Sequence, residues 1–167
     1  MNLFCIIARI SEKTSKWQYM ISFFNQNIVF KLILKKYYKQ WINQLVNNHH
    51  KVVRELNIIF CTDDYLLELN RRFLNHDYYT DVITFDYSDI SQKMEIAGDV
   101  FISIETVRSN AIMYQTSSFE EELLRVMAHG ILHLIGYNDF SDEEKMMMKK
   151  QEDDAIASYY KISKPHF

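Results

Sequence analysis

The sequence predicts an α/β fold of the α+β kind, with a small mixed sheet of about four strands packed against about five helices. Three observations lead there. Short β-rich runs alternate with longer segments whose apolar residues recur at helical spacing. Two segments open on a Ser-x-x-Glu capping pattern, Ser118 to Glu121 and Ser141 to Glu144, each ahead of a helical stretch. No repeat or Gly/Pro-rich linker divides the chain, and its one proline, Pro165, sits in the tail.

Residues 1–19 lack a clear period and read as an N-terminal extension ahead of a single domain over 20–162. Met20-Ile21-Ser22-Phe23-Phe24 reads as the opening strand. From Lys31 to about Asn48 an apolar stripe of Leu34, Tyr38, Trp41, Ile42 and Leu45 runs among lysines, which predicts a helix. Leu56–Thr62 is a short apolar strand. Thr62 or Asp63 can cap a helix over Asp64–Leu74, whose stripe is Leu66, Leu67, Leu69 and Phe73. Val82–Tyr87 and Asp99–Ser103 read as strands joined by a polar loop, in a hairpin or its close relative. Ile104–Tyr114 reads as helix. The two capped helices follow, the last running to about Tyr160.

At 167 residues and 48% hydrophobic content the chain is long enough for one substantial core and too apolar for disorder. Cys5 and Cys61 have no paired spacing, which excludes a disulfide framework and a cysteine metal site. A reducing compartment, the cytoplasm, is expected, and no apolar run reaches membrane-spanning length. The net charge of −3 hides an asymmetry: residues 1–75 carry eleven Lys and Arg against five Asp and Glu. Such basic clustering suits a phosphate backbone, although a solvated surface explains it equally.

The chemistry concentrates in His129-Gly130-Ile131-Leu132-His133-Leu134-Ile135-Gly136-Tyr137-Asn138-Asp139. Residues four apart share a helix face, so both imidazoles can converge on one ion. On a helical wheel Leu123, Leu124, Met127, Ala128, Ile131, Leu134 and Ile135 fall on one side, and the histidines lie opposite, beside Glu122 and Arg125. Gly136 can take the left-handed conformation that ends a helix, which brings Asp139 back as a third ligand. Two histidines, a carboxylate and one open position make a catalytic zinc site.

These residues resemble the YbeY family of metal-dependent endoribonucleases of ribosomal RNA maturation, whose pattern is H-G-x-L-H-L-x-G-Y-D-H. A second block, Leu69-Asn70, Asp77 and Thr80-Asp81-Val82-Ile83-Thr84-Phe85, is similar to the family's L-N-x-x-Y-R-x-x-D-x-x-T-D-V-L-S-F segment. Gly98-Asp99-Val100 resembles its G-D-I strand, and Met148 with Glu152 resembles its final helix. The resemblance implies Zn2+ as cofactor, with Ni2+ or a similar ion as substitute, held by His129, His133 and Asp139. It implies ribosomal RNA, the small ribosomal subunit, one of its proteins and an Era-like GTPase as partners.

Two departures stand out. The third family ligand is histidine, and here it is Asp139, which lowers the charge of the site by about one and alters its metal preference. The family arginine falls at Leu74, so Arg71 or Arg72 from the preceding turn stands in for it as a substrate contact. Arg125 lies on the metal face and is the best-placed cation on the wheel. The residue after His129 is Gly130, where HExxH peptidases carry their glutamate base, and this disfavours a peptidase. Asp99 or Asp81, or a substrate phosphate oxygen, is then the proton acceptor. Thr84 and Phe85 are expected to line the groove, Phe85 stacking on a base or else buried in the core. A zinc hydrolase of another substrate and a non-catalytic assembly factor remain as alternative readings.

Overall fold

The computed structural model describes residues 20–89, 91–113 and 118–163. The extension assigned to 1–19 lies outside them. In chain order the elements are β1 (Met20–Gln26), α1 (Lys35–Asn48), β2 (Val52–Cys61), α2 (Asp63–Leu69), β3 (Val82–Asp86), β4 (Glu95–Ser103), α3 (Ile104–Met113), α4 (Phe119–Ile135) and α5 (Asp142–Ser163). The strands form one mixed sheet in the order β1-β2-β4-β3, parallel except for β3, which pairs antiparallel with β4. The expected hairpin is therefore present, Val82 opposite Ile102 and Asp86 opposite Gly98.

The two faces of the sheet are covered unequally. Alternation sends Leu56, Ile58 and Phe60 of β2 and Ile96, Val100 and Ile102 of β4 into the larger core, under α1, α4 and α5. Trp41 is fully buried there, and its indole N–H donates to the Ala155 carbonyl at 2.7 Å, tying α1 to α5. The opposite residues, Ile59, Cys61, Ile83 and Phe101, meet Leu66 and Leu69 of α2 in a smaller cluster. No helix among the described residues is long and apolar enough to cross a membrane.

The capping signals act as the sequence implies. Ser118 Oγ accepts from the Glu121 N–H, and Ser141 Oγ accepts from the Glu144 N–H while Glu144 returns a bond to the Ser141 N–H. Thr62 caps α2 by accepting from the Tyr65 N–H. Elsewhere the boundaries move. The helix expected from Lys31 begins at Lys35, because Leu34 takes a left-handed φ of 56° and Leu32 drops into the core. Strands β2 and β4 each start four residues before the expected position, since their first residues pair with each other, Val52 opposite Glu95. Helix α2 ends at Leu69, and a π-helical turn over Asn70–Leu74 carries the chain to Asn75, whose φ of 57° stops it.

Helix α4 lies close on the sheet because two glycines remove side chains between them. A Cβ on Gly98 of β4 would meet the Phe85 carbonyl oxygen at 2.5 Å and Leu134 Cδ2 at 2.7 Å. A Cβ on Gly130 of α4 would meet Val100 Cγ1 at 2.5 Å. Overpacking of this kind costs about 1–3 kcal/mol. In Gly130→Ala it is offset by about 1 kcal/mol of helix propensity, whereas Gly98→Ala pushes on rigid backbone with no such gain. Thermal unfolding of the two variants side by side should show the larger drop in Tm for Gly98→Ala, and the opposite order would refute this account of the packing.

Candidate metal centre

Helix α4 carries His129 and His133 on one face, and its C-terminus completes the site. Gly136 has φ 113°, and its N–H reaches the carbonyls of Leu132 at 3.1 Å and His133 at 3.0 Å. The Tyr137 N–H bonds back to the Leu132 carbonyl at 3.0 Å, a closed helix end that reverses the chain. The reversal has two products. It returns Asp139 to within 3.7 Å of His129 Nε2. It also aims the Tyr137 carbonyl at His133 Nδ1, 3.0 Å away.

A carbonyl oxygen only accepts, so His133 Nδ1 carries a hydrogen and its Nε2 faces the site with a lone pair. His129 Nδ1 is held the same way by Glu152 Oε1 of α5 at 2.8 Å. The two Nε2 atoms stand 3.0 Å apart. Tetrahedral zinc with bonds of about 2.0–2.1 Å separates two ligand nitrogens by roughly 3.3 Å. His129, His133 and Asp139 offer one ligand atom each, all within 4.8 Å of one another. The donor set and its orientation thus fit a divalent transition metal.

The electrostatics follow from the neighbours. Burial works to lower the basicity of His129, but the Glu152 hydrogen bond and the charges of Glu152, Asp81 and Asp139 outweigh it and shift its pKa upward. Burial and the neighbouring His129 shift that of His133 downward. The two Nε2 atoms thus face each other across the 3.0 Å contact, where a cation competes with protons for their lone pairs. Glu152 is fixed in turn: its Oε2 accepts from Arg125 Nη1 at 3.3 Å, and the same nitrogen reaches Asp153 Oδ1 at 3.0 Å.

These groups open into a pocket of about 610 Å³ that includes Asp81, Glu122, Arg125, His129, Asp139, Lys145, Lys149 and Glu152. Asp81 is brought to the metal ligands as expected. Asp99 is not. It follows Gly98 and precedes Val100, both turned toward α4, so alternation sends it to the other face of the sheet. There it is buried, accepting from Asn57 at 2.8 Å and Tyr87 at 3.4 Å, and burial raises its pKa.

The other expected contacts also separate. Thr84 Oγ1 donates to the Gly130 carbonyl at 3.3 Å and fills the seam between β3 and α4 outside the pocket lining. Phe85 packs edge-on against Phe73 and Phe101, its ring centroid 5.3 Å and 5.8 Å from theirs, on the α2 face. Arg71 and Arg72 sit on the π-helical turn, Arg71 paired with Asp77 at 2.5 Å and Arg72 over the Phe73 ring at 5.3 Å. Arg125 does line the pocket, but its contacts with Glu152 and Asp153 make it a brace for Glu152 and no free cation. The cations that sequence reasoning missed are Lys145 and Lys149 of α5.

Comparison with known proteins agrees with this geometry. The model of the YbeY family, described as endoribonuclease YbeY, matches residues 21–160. Endoribonuclease YbeY of Cytophaga hutchinsonii is 46% identical over 137 residues, which are 82% of this chain and 94% of that protein. Endoribonuclease YbeY of Flavobacterium psychrophilum is 46% identical over 141 residues, 84% of this chain and 97% of that protein. The solution structure of TM1509 from Thermotoga maritima superposes with a TM-score of 0.59 at 28% identity, covering 84% of this chain and 89% of that one.

Carboxylates that orient a ligating histidine are worth about 10–100-fold in metal affinity. Glu152→Ala should weaken zinc binding by that factor in a chelator-competition titration, and Glu152→Gln, which keeps an acceptor without the charge, should fall in between. Unaltered affinity in Glu152→Ala would remove Glu152 from the site.

Proposed function

Since the chain belongs to the YbeY endoribonuclease family and is an enzyme acting on RNA phosphodiester bonds, we propose that it cuts single-stranded ribosomal RNA. Its substrate is the 3′ end of the small-subunit RNA, matured with one zinc ion on His129, His133 and Asp139. The observation that carries this reading is the convergence of those three donors in a pocket that also holds Asp81 and two lysines. Nickel or another divalent transition ion suits the same donors.

When bound, a cation there supplies a Lewis acid for a phosphoryl oxygen and acidifies a water molecule. The chain supplies the rest. Asp81, at the start of β3, presents its carboxylate to the same pocket as His129 and accepts the proton of the attacking water. Lys145 and Lys149 hold substrate phosphate, the task that the family gives to an arginine and that exposed Leu74 cannot perform. Gly130 is packed on Val100, so no carboxylate occupies the position of the peptidase base. The reading carries with it the small ribosomal subunit, one of its proteins and an Era-like GTPase as partners, and the cytoplasm as location, which the buried free thiol of Cys61 suits.

Labelled single-stranded RNA should be cut by the metal-loaded protein, spared after chelation and cut again when zinc is restored. His129→Ala should abolish cleavage, and Asp81→Asn should lower kcat by about 10²–10⁴-fold, the range for a lost general base. Cleavage that survives both chelator and His129→Ala would sink the proposal, and casein peptides should stay intact throughout.

A further inference from the structure

Between α2 and the edge strand β3 the chain displays aromatic side chains to solvent. Tyr78 is 57% exposed and Tyr79 58%, in a segment where every residue from Arg71 to Tyr79 is exposed except through its backbone ties. Exposed rings usually belong to mobile loops, but this one is pinned. Asn70, only 2% exposed, donates from Nδ2 to the Tyr78 carbonyl at 2.8 Å, and its own carbonyl accepts from the His76 N–H at 3.2 Å. Arg71 clasps Asp77 at 2.5 Å, and Tyr79 Oη reaches Asp64 at 3.3 Å.

A flat surface is thus already assembled. The His76 ring stacks on Tyr78 with centroids 5.1 Å apart and planes 21° from parallel. Two residues beyond Tyr79 stands Asp81, in the metal pocket. Two residues of extended chain span at most about 7 Å, so the backbone of Tyr79 lies within that reach of Asp81.

We propose that Tyr78 and Tyr79 form a stacking platform for the unpaired bases of an RNA strand whose phosphodiester lies at the metal centre. The inference rests on the RNA substrate proposed above and specifies how the strand is held. Base stacking on aromatic rings accepts any base, the mode used by single-strand binders. The commitment to RNA over a protein partner comes from continuity with the pocket, since Asp81 of its lining follows Tyr79 by two residues. It also gives the exposed rings a reason to be held rigid, since a preformed platform loses less entropy on binding.

The test uses the metal-loaded full chain and a fluorescein-labelled oligoadenylate of about twelve nucleotides, a length within the usual site sizes. Fluorescence anisotropy reads binding, and the probe is checked on a gel after each titration. Tyr78→Ala and Tyr79→Ala should each weaken binding by about fivefold or more, and both should raise the KM for cleavage while kcat holds. Tyr78→Phe and Tyr79→Phe should bind as the unaltered chain does, because the ring stays. Full affinity in the double alanine variant, with its Tm unchanged, overturns the platform and assigns the rings to a protein partner. Absence of cleavage by the unaltered chain overturns the nuclease reading alone, because the anisotropy comparison still decides the platform.

Discussion

Helix α4 can do its work only because it lies against the sheet with nothing between. Gly130 rests on Val100, and Gly98 leaves room for Leu134, so the helix axis is fixed by contacts on both sides of the seam. The imidazoles project from the same helix one turn apart. Their separation of 3.0 Å is therefore set by α-helical geometry, and their distance from Asp81 is set by how closely the helix approaches β3. A bulkier side chain at either glycine would move the ligands away from the carboxylate that shares their pocket. Interiors at near-crystalline density have no slack to absorb such a shift.

The second support comes from α5. Its apolar stripe of Met148, Ala155, Ile156 and Tyr159 docks on the core, and Glu152 lies on that same stripe, almost wholly buried. A carboxylate in that position would be destabilising if left alone. It is satisfied by His129 on one oxygen and Arg125 on the other. Docking α5 thus orients His129, and orienting His129 satisfies Glu152. Each depends on the other, which makes the metal site and the helix packing one cooperative unit.

Much of this was legible in the sequence, for local reasons. The HxxxH spacing, the glycine turn and the returning aspartate are all contained within one helix and its end, where short-range geometry decides. The capping boxes are equally local. What failed depended on tertiary context. Asp99 was misplaced because β4 is apolar on both faces, with Ile96, Val100 and Ile102 on one and Ala97 and Phe101 on the other. A strand covered on both sides offers no alternation from which to read the direction of Asp99 in its middle. Glu152 lies 23 residues from His129, beyond any periodicity, so the resemblance of the final helix marked it without showing that it holds His129. Arg125 was placed correctly on its face, but the two carboxylates that hydrogen-bond it, Glu152 and Asp153, come from another helix. Lys145 and Lys149 entered the pocket through the same docking.

The charge of the pocket constrains how an anionic substrate can approach. Its lining holds five carboxylates, Asp81, Glu121, Glu122, Asp139 and Glu152, against three cations, Arg125, Lys145 and Lys149. With neutral imidazoles that leaves two negative charges, a field that repels a phosphodiester. A divalent cation would cancel them, and so favours RNA binding on electrostatic grounds. Were position 139 a histidine, the same cation would leave the pocket one charge positive. The aspartate removes that attraction and brings the loaded pocket close to neutral. Lys145 and Lys149 then act in a nearly neutral pocket, and contacts outside it that do not rely on its charge add to the affinity for the strand. Stacking on the exposed rings of Tyr78 and Tyr79, as proposed, would be such a contact.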